Sequence, residues 1–419
     1  MGICPFFLPF WYNIEMKLDK IPVEFRQALP VLEKIIDAGY EAYFVGGSVR
    51  DVLLGRTIHD VDIATSAYPE EIKALFPHTI DVGIEHGTVL VLAGKSEAEH
   101  YEVTTFRTES QYTDFRRPDR VDFVRDLKED LKRRDFTINA FACGPDGEII
   151  DCFDGLLDLK ERRIRAVGDA HERFNEDALR IMRAMRFSAS LDFSIAPETF
   201  DAMKSHAPLL KKISIERIFI EFDKLLQEKS YKKGLSALST SGAWRYLPGL
   251  DQKALHHLHF DFMDDFYFKS SKQAWTALLT RYQKINVPAF LKQWKVPNDF
   301  IKDVALLFKA YQKEQWDLES LYRYGLSRVL LIDDLKEGQG QSVDKNRARL
   351  LDSCLQIHHK SELVVSGNDL LSRFSTLHPG PKLGALLKTI EEKVVQNELK
   401  NEKNVLFEFA RAELEKNEK

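Results

Sequence analysis

The sequence predicts an α+β protein: a mixed α/β head over residues 21–155, then an all-α remainder to residue 419. Two observations predict it. Short β-rich runs and short helical patterns alternate through the first 155 residues, the mark of a mixed sheet with helices packed on it. Beyond residue 160 strand-like alternation nearly vanishes and long helical periods follow, broken at Pro248-Gly249, Gly367 and Pro379-Gly380-Pro381. At roughly 100–200 residues per domain the chain has room for two to four.

Taken in order, residues 22–38 carry a helical period through Phe25, Leu29, Leu32, Ile35 and Ile36. Residues 41–45 form a short strand ending at Gly46. Residues 48–54 read as a short helix with Ser48 as its cap and Asp51 three residues on, close to a capping box. Residues 59–65 are the next strand, and 69–76 a helix with Pro69 in its first turn. Strands follow at 88–92 and 101–107. Residues 107–120, polar, aromatic and basic, read as a loop, 130–143 as a helix and 149–153 as a last strand, giving one sheet of about five strands. Helices are then expected over 170–190, 197–206, 214–228, 273–282, 300–313, 382–397 and 401–416, with no tandem repeat.

Composition narrows the class. With 44% apolar and 30% charged residues and a net charge of -5, the chain is an ordinary globular protein that does not advertise nucleic-acid binding, although a local basic stripe suffices for phosphate contacts. Cys4, Cys143, Cys152 and Cys354 are scattered, without a CxxC pair or metal-ligand spacing, as expected of idle thiols in a reducing cytoplasm. No stretch reaches the ~20 apolar residues that span a bilayer. Residues 1–15 are apolar and aromatic but lack a basic start and hold two prolines, a poor signal peptide. Met16 opens a conventional amphipathic segment. Translation is therefore expected to start at Met16, with 1–20 an extension ahead of the head. An intact mass from native cells that included residues 1–15 would overturn that.

The chemistry concentrates in two places. Asp60-Val61-Asp62 begins nine residues after the end of Gly46-Gly47-Ser48-Val49-Arg50-Asp51. Positions i and i+2 of a strand point one way, so Asp60 and Asp62 are able to grip one or two Mg²⁺ ions together. The Gly-rich turn offers backbone N–H groups to a phosphate, and Arg50 adds charge there. Glu102, beside His100 and Thr104 on a neighbouring strand face, is the candidate third carboxylate. These parts together fit nucleotidyl transfer, in which carboxylate-held metal ions stabilise the entering and leaving oxygens. A bare pair of strand-end aspartates is the competing reading, and the preceding Gly-rich turn tells against it.

Arg133-Arg134-Asp135-Phe136-Thr137-Ile138-Asn139-Ala140 fits equally a solvated face or a phosphate or ribose contact. Glu176-Asp177-Ala178-Leu179-Arg180, continued by Arg183 and Arg186, places acid and base along one helical ridge. An Asp–Arg pair matches the amino group and ring acceptor of cytosine or adenine, and would reject guanine and uracil by leaving polar groups unpaired. The bland reading is a ladder of surface ion pairs worth ~0.3–0.5 kcal/mol each. His256-His257-Leu258-His259 and His358-His359 lack carboxylate or Cys partners at fitting spacing and read as partly exposed helix or turn. Residues 382–419 read as a solvated terminal helix, with Lys382, Lys388, Lys393 and Lys400 as its candidate RNA contacts.

In order along the chain these segments resemble the class II tRNA nucleotidyltransferases, the family of CCA-adding enzymes and bacterial poly(A) polymerases. Gly46–Asp62 resembles its catalytic motif, Arg133–Ala140 its ribose motif and Asp154-Gly155 its hinge. Glu176–Arg180 resembles its amino-acid template, and Ser214-Ile215-Glu216-Arg217-Ile218 the neck segment that braces the template. His86-Gly87-Thr88-Val89, Glu102–Arg107, and Gly367-Asn368-Asp369-Leu370 through Gly384 to Asn401-Glu402 are similar to the Gram-positive CCA-adding branch. So is the retained loop over 107–120, which CC-only relatives lack.

The resemblance implies a nucleotidyltransferase head (21–155), helical neck (156–230), body (231–340) and tail (341–419) that binds tRNA. It implies Asp60 and Asp62 on Mg²⁺, with Glu102 as third carboxylate. Gly46, Gly47, Arg50, Arg134, Asp177, Arg180, Arg183 and Arg186 would form the CTP/ATP pocket. The expected activity is template-free addition of C, C and A to tRNA 3′ ends, with release of diphosphate, by a cytoplasmic monomer or homodimer. Poly(A) or A-only addition, and a non-catalytic tRNA-binding protein, are the alternatives.

Overall fold

The computed structural model describes residues 16–93, 100–110, 120–282 and 284–416. Of the expected extension over 1–20, residues 1–15 lie outside them, and Met16–Lys17 is no extension but an edge strand paired with Glu148 and Ile149 of the main sheet. The chain divides into two compact units: Met1–Leu225 with Lys233–Leu247, and Leu226–Lys232 with Pro248–Lys419.

The first unit opens with β1 (Met16–Lys17), α1 (Val23–Asp37), β2 (Ala42–Val45), α2 (Gly47–Leu53), β3 (Asp62–Thr65), α3 (Pro69–Leu75), β4 (Thr79–Gly83), β5 (Thr88–Leu92) and β6 (His100–Thr105). It continues through β7 (Arg107–Ser110), β8 (Arg120–Phe123), α4 (Leu127–Lys132), β9 (Phe141–Cys143) and β10 (Glu148–Asp151). Among the described residues the main sheet has eight strands in the order β1-β10-β9-β2-β3-β6-β5-β4, not five. The strands the sequence hid are two to five residues long, and pairing rather than propensity makes them. Every neighbouring pair is antiparallel except β3–β6, which run parallel with Asp62 opposite Glu102.

Alternation along the strands gives the sheet two covered faces. On one, Phe44 stacks on Phe25 of α1 with ring centroids 4.2 Å apart. On the other, Val45, Ala64 and Ala142 pack with Phe106 and with Leu127 and Leu131 of α4. Asp62 is two residues before Ala64 and so shares this second face.

Two local expectations fail here. The expected loop over 107–120 is strand at both ends, since β7 and β8 pair as a separate antiparallel ribbon; residues 111–119 lie outside the described residues. The expected helix over 130–143 is only α4, capped by Asp126, whose side chain accepts from the Lys128 N–H at 2.8 Å. Beyond Lys132 long-range bonds take the backbone. Phe136 bridges Ala166, the Thr137 N–H donates to the Arg165 carbonyl (2.9 Å), and Phe141–Cys143 joins the sheet.

Helices then dominate: α5 (Gly155–Lys160), α6 (Ala170–Glu176), α7 (Leu179–Leu191), α8 (Pro197–His206), α9 (Ile215–Leu226) and α10 (Tyr231–Ser241). Between α5 and α8 the short strands β11 (Arg163–Ile164) and β12 (Ser194–Ile195) pair in parallel. Asp151 starts α5 by accepting from the Phe153, Gly155 and Leu156 N–H groups at 3.1, 3.0 and 2.8 Å. Gly155 is required: a Cβ there would run into the Thr137 carbonyl and lie 2.7 Å from the Phe141 ring.

The second unit holds α11 (Gln252–Phe260), α12 (Ser271–Thr280), α13 (Val287–Gln293), α14 (Asn298–Tyr311) and α15 (Leu318–Tyr324). α16 (Leu326–Gly338), α17 (Lys345–Ser353), α18 (Gly367–Arg373), α19 (Pro381–Val395) and α20 (Lys403–Lys416) complete it. Its core centres on Trp275 and Trp294, edge to face at 4.8 Å and fully buried. The histidine run lies in α11, where buried His257 contacts Asp261 (2.6 Å) and Thr280 (3.1 Å). In the same unit Tyr231 is fully buried, its hydroxyl donating to the Leu258 carbonyl at 3.2 Å.

Candidate active site

β2 runs into Gly46, whose φ of 74° and ψ of -137° suit glycine. A Cβ there would press on Arg134 Nη1 at 3.2 Å. The turn starts α2. Ser48 does not cap it, contrary to expectation: the helix begins one residue earlier, and the buried Ser48 hydroxyl donates back to the Val45 carbonyl at 3.0 Å. Asp51 is likewise spent on Arg50, at 3.0 Å.

The expected pair on one strand is only half realised. β3 begins at Asp62, and Asp60 lies exposed just outside it. The strand partner of Asp62 is instead Glu102 of β6. Burial, then the Glu102 carboxylate, and then Asp60 push the Asp62 carboxyl above its ordinary range, with Arg134 pulling the other way. Among the described residues no group of three His, Cys, Asp or Glu side chains stands ready to hold a metal ion. The donor chemistry nevertheless suits a hard divalent cation, which takes one or two carboxylates and completes its shell with water and substrate phosphate. Such an ion would relieve the strain that burial and like charge place on Asp62.

The wall beyond Asp62 is arginine-rich. Asp130, its side chain 1% exposed, takes Arg133 at 2.7 Å and Arg134 at 3.1 Å. Burial alone would raise the Asp130 carboxyl, but the two guanidiniums outweigh it and hold it low. The Arg107 N–H also donates to Asp130 (3.3 Å), and the Arg107 side chain reaches the His86 carbonyl. Arg134 Nε is buried and carries no hydrogen bond. Asp135 binds Arg183 at 2.7 Å; despite burial, Arg183, Asn139 and Arg180 bring its carboxyl down to about 2. The sequence quoted Asp135 and Asn139 without giving them a task. The Asp135–Arg183 pair was invisible because its members lie 48 residues apart, and Asp130, though only three and four residues from its arginines, carries no motif of its own.

The expected single helix over 170–190 is two. α6 ends at Glu176, Asp177 is extended (φ -138°, ψ 102°), and α7 begins at Leu179. Asp177 makes the break by accepting from the Leu179 N–H at 2.9 Å, and Arg217 at the start of α9 holds it at 2.7 Å. Arg180 does not pair with Asp177; it binds Glu176 (2.7 Å) and the Arg133 carbonyl (2.9 Å). Arg186 turns to Glu221 at 2.5 Å and packs on Phe187, away from the cavity lining.

A cavity of about 610 Å³ gathers these parts. Gly46, Gly47, Arg50, Asp62, Arg134, Asp177, Arg180 and Arg183 line it; Asp60, Glu102 and Arg186 do not. In all, seven arginines face three aspartates there. In a chain of net charge -5, that local excess is a built anion site.

The fold and cavity define a nucleotidyltransferase. Residues 42–165 match the poly A polymerase head domain, 192–253 the probable RNA and SrmB-binding site of polymerase A, and 266–410 the putative tRNA nucleotidyltransferase domain 2. A CCA-adding enzyme of Lactococcus lactis subsp. lactis (strain IL1403) is 66% identical over 392 residues, 94% of this chain and 98% of the relative. The crystal structure of the Bacillus stearothermophilus CCA-adding enzyme in complex with CTP superposes with a TM-score of 0.85 at 38% identity, covering 95% of this chain and 99% of that one. A tRNA nucleotidyltransferase complexed with a primer tRNA and an incoming ATP analog matches at 26% identity and TM-score 0.55, covering 76% and 96%. The chain belongs to the CCA-adding enzyme family.

Proposed function

We propose that this enzyme adds C, C and A to tRNA 3′ ends from CTP and ATP in the 610 Å³ cavity of its first unit. The observation that carries the reading is that one cavity joins the Gly46-Gly47 turn, Arg50 and Asp62 to Asp177 and Arg180. Asp60 and Asp62, with Glu102 beside Asp62, would hold Mg²⁺. Held there, it would supply charge to neutralise the triphosphate and to make the attacking 3′ hydroxyl more nucleophilic.

The residues present do the rest. Gly46 and Gly47 bring bare backbone close to the phosphates, and Arg50 and Arg134 supply fixed positive charge. Asp177 accepts from the amino group of cytosine or adenine while Arg180 donates to the ring acceptor. Arg217 pairs with Asp177 and Glu176 with Arg180, so base binding exchanges partners instead of exposing unpaired charge. Arg183 supports the reading helix from beside Arg180, and Arg186 braces it through Glu221.

In this reading residues 21–155 are the catalytic head, 156–230 the neck, 231–340 the body and 341–419 the tRNA-binding tail. No helix of the described residues is long and apolar enough to cross a membrane, and the enzyme works in the cytoplasm on free tRNA.

The test is 3′-end sequencing of tRNA transcripts lacking CCA, after incubation with the protein, Mg²⁺ and CTP, ATP or both. CC with CTP alone, completed to CCA with both, is expected. Long A tails would make it a poly(A) polymerase, A added only after CC an A-adding enzyme, and no addition a non-catalytic tRNA binder.

A further inference from the structure

Two arginines lining the cavity from different elements are ends of one buried chain of hydrogen bonds. Arg50 of α2 donates Nη1 to Asn139 Oδ1 at 2.6 Å. Asn139 donates Nδ2 to Asp135 Oδ1 at 3.1 Å. Asp135 Oδ2 accepts from Arg183 Nε of α7 at 2.7 Å. Arg50, Asn139 and Asp135 are each less than a tenth exposed, while the Arg183 side chain at the far end is about a third exposed. Phe187 closes the arrangement from below, with the guanidinium carbons of Arg50 and Arg183 both 5.3 Å from its ring centre.

Asn139 is the link because a carboxamide carries an acceptor and a donor on one rigid plane. A leucine of similar size has neither. An aspartate would lack the donor and set a like charge against Asp135. Rotating the amide breaks both bonds at once, so a shift of Arg50 is passed to Asp135. Asp135 in turn cannot move without loosening Arg183.

We propose that Asn139 and Asp135 are positioning residues that couple the phosphate contact of Arg50 to base reading on α7. A triphosphate held at one end then sharpens discrimination at the other. This rests on the reading of the cavity as a nucleotide site with Arg50 at the phosphates and α7 at the base. Coupling of this kind is reciprocal and shows as non-additive binding.

The experiment measures dissociation constants of CTP, UTP, CMP and UMP by calorimetry on the full chain with Mg²⁺, for the unmodified protein and Asn139→Leu. In the unmodified protein the UTP:CTP ratio should exceed the UMP:CMP ratio by about tenfold, within the usual range for coupled sites. In Asn139→Leu the two ratios should coincide, with UMP:CMP unchanged. A purely structural role would weaken all four ligands alike and leave both ratios standing. A tenfold gap that survives in Asn139→Leu, or that is missing from the unmodified protein while it binds CTP, overturns the coupling. No CTP binding by the unmodified protein overturns the site reading itself. If Asn139→Leu does not fold by circular dichroism, Asp135→Asn carries the same measurement under the same criteria.

Discussion

Asp62 is costly to ionise, while the more deeply buried Asp135 is not, and the difference lies in their neighbours. Asp62 has carboxylates beside it, whereas Asp135 has Arg183 and Asn139. For Asp135, with its carboxyl brought to about 2, the stabilisation is full above the unfolded value near 4 and is lost as pH falls through about 2. It amounts to about 2 kcal/mol. Asp135→Asn should therefore lower the unfolding free energy at pH 7 and flatten the acid limb between about pH 4 and 2, read by urea titration at several pH values. Asp60→Ala should abolish all transfer. Asp177→Ala should instead cost selectivity, letting U or G in with preference for C reduced about tenfold, because an acceptor worth about 1–2 kcal/mol is gone. Equal total loss in both, with unchanged selectivity in any remaining activity, would tell against Asp177 as base reader. Asp62, Gly46, Gly47, Asp177 and Arg180, which the cavity brings together, stand in short motifs that the sequence shows, whereas Asp60 and Glu102 stand in such motifs and do not line it. The Asn139 link was not legible, since its meaning depends on Arg50, 89 residues away in sequence.

At the scale of elements, legibility followed length. Residues 197–206 matched α8 to the residue, and α1, α14, α19 and α20 differ from expectation by only a residue or two at their ends. Long apolar periods outvote their surroundings. β1, β4 and β9, and the break between α6 and α7, depend on pairing or on one side chain such as Asp177, and no local period announces them. Gly155 shows how tightly such joints are built. Gly155→Ala should cost about 1–3 kcal/mol by overpacking against Thr137 and Phe141. Thr137 also donates to buried Asp158 at 2.7 Å, so the Arg133–Ala140 turn should shift with it. A melting temperature within error of the unmodified protein would refute that.

Across the whole molecule the chain passes between its two units three times, because residues 226–232 belong to the second and 233–247 return to the first. A chain ending at Leu247 would strip Tyr231 of Leu258 and Phe268, and Lys232 of the Phe262 carbonyl and Asp264. Uncovering one large buried ring costs about 2–3 kcal/mol. That fragment should be cut by protease within 226–232 under conditions where the full chain resists, and equal resistance would contradict it. The same route has a consequence for synthesis. Residues leave the ribosome from the N-terminus, so Gly46, Asp62, Asp177 and Arg217 are all out while residues 226–232 still await Leu258 and Phe268. The nucleotide cavity can close around its ion pairs first, and residues 226–232 find their places in the second unit only afterwards.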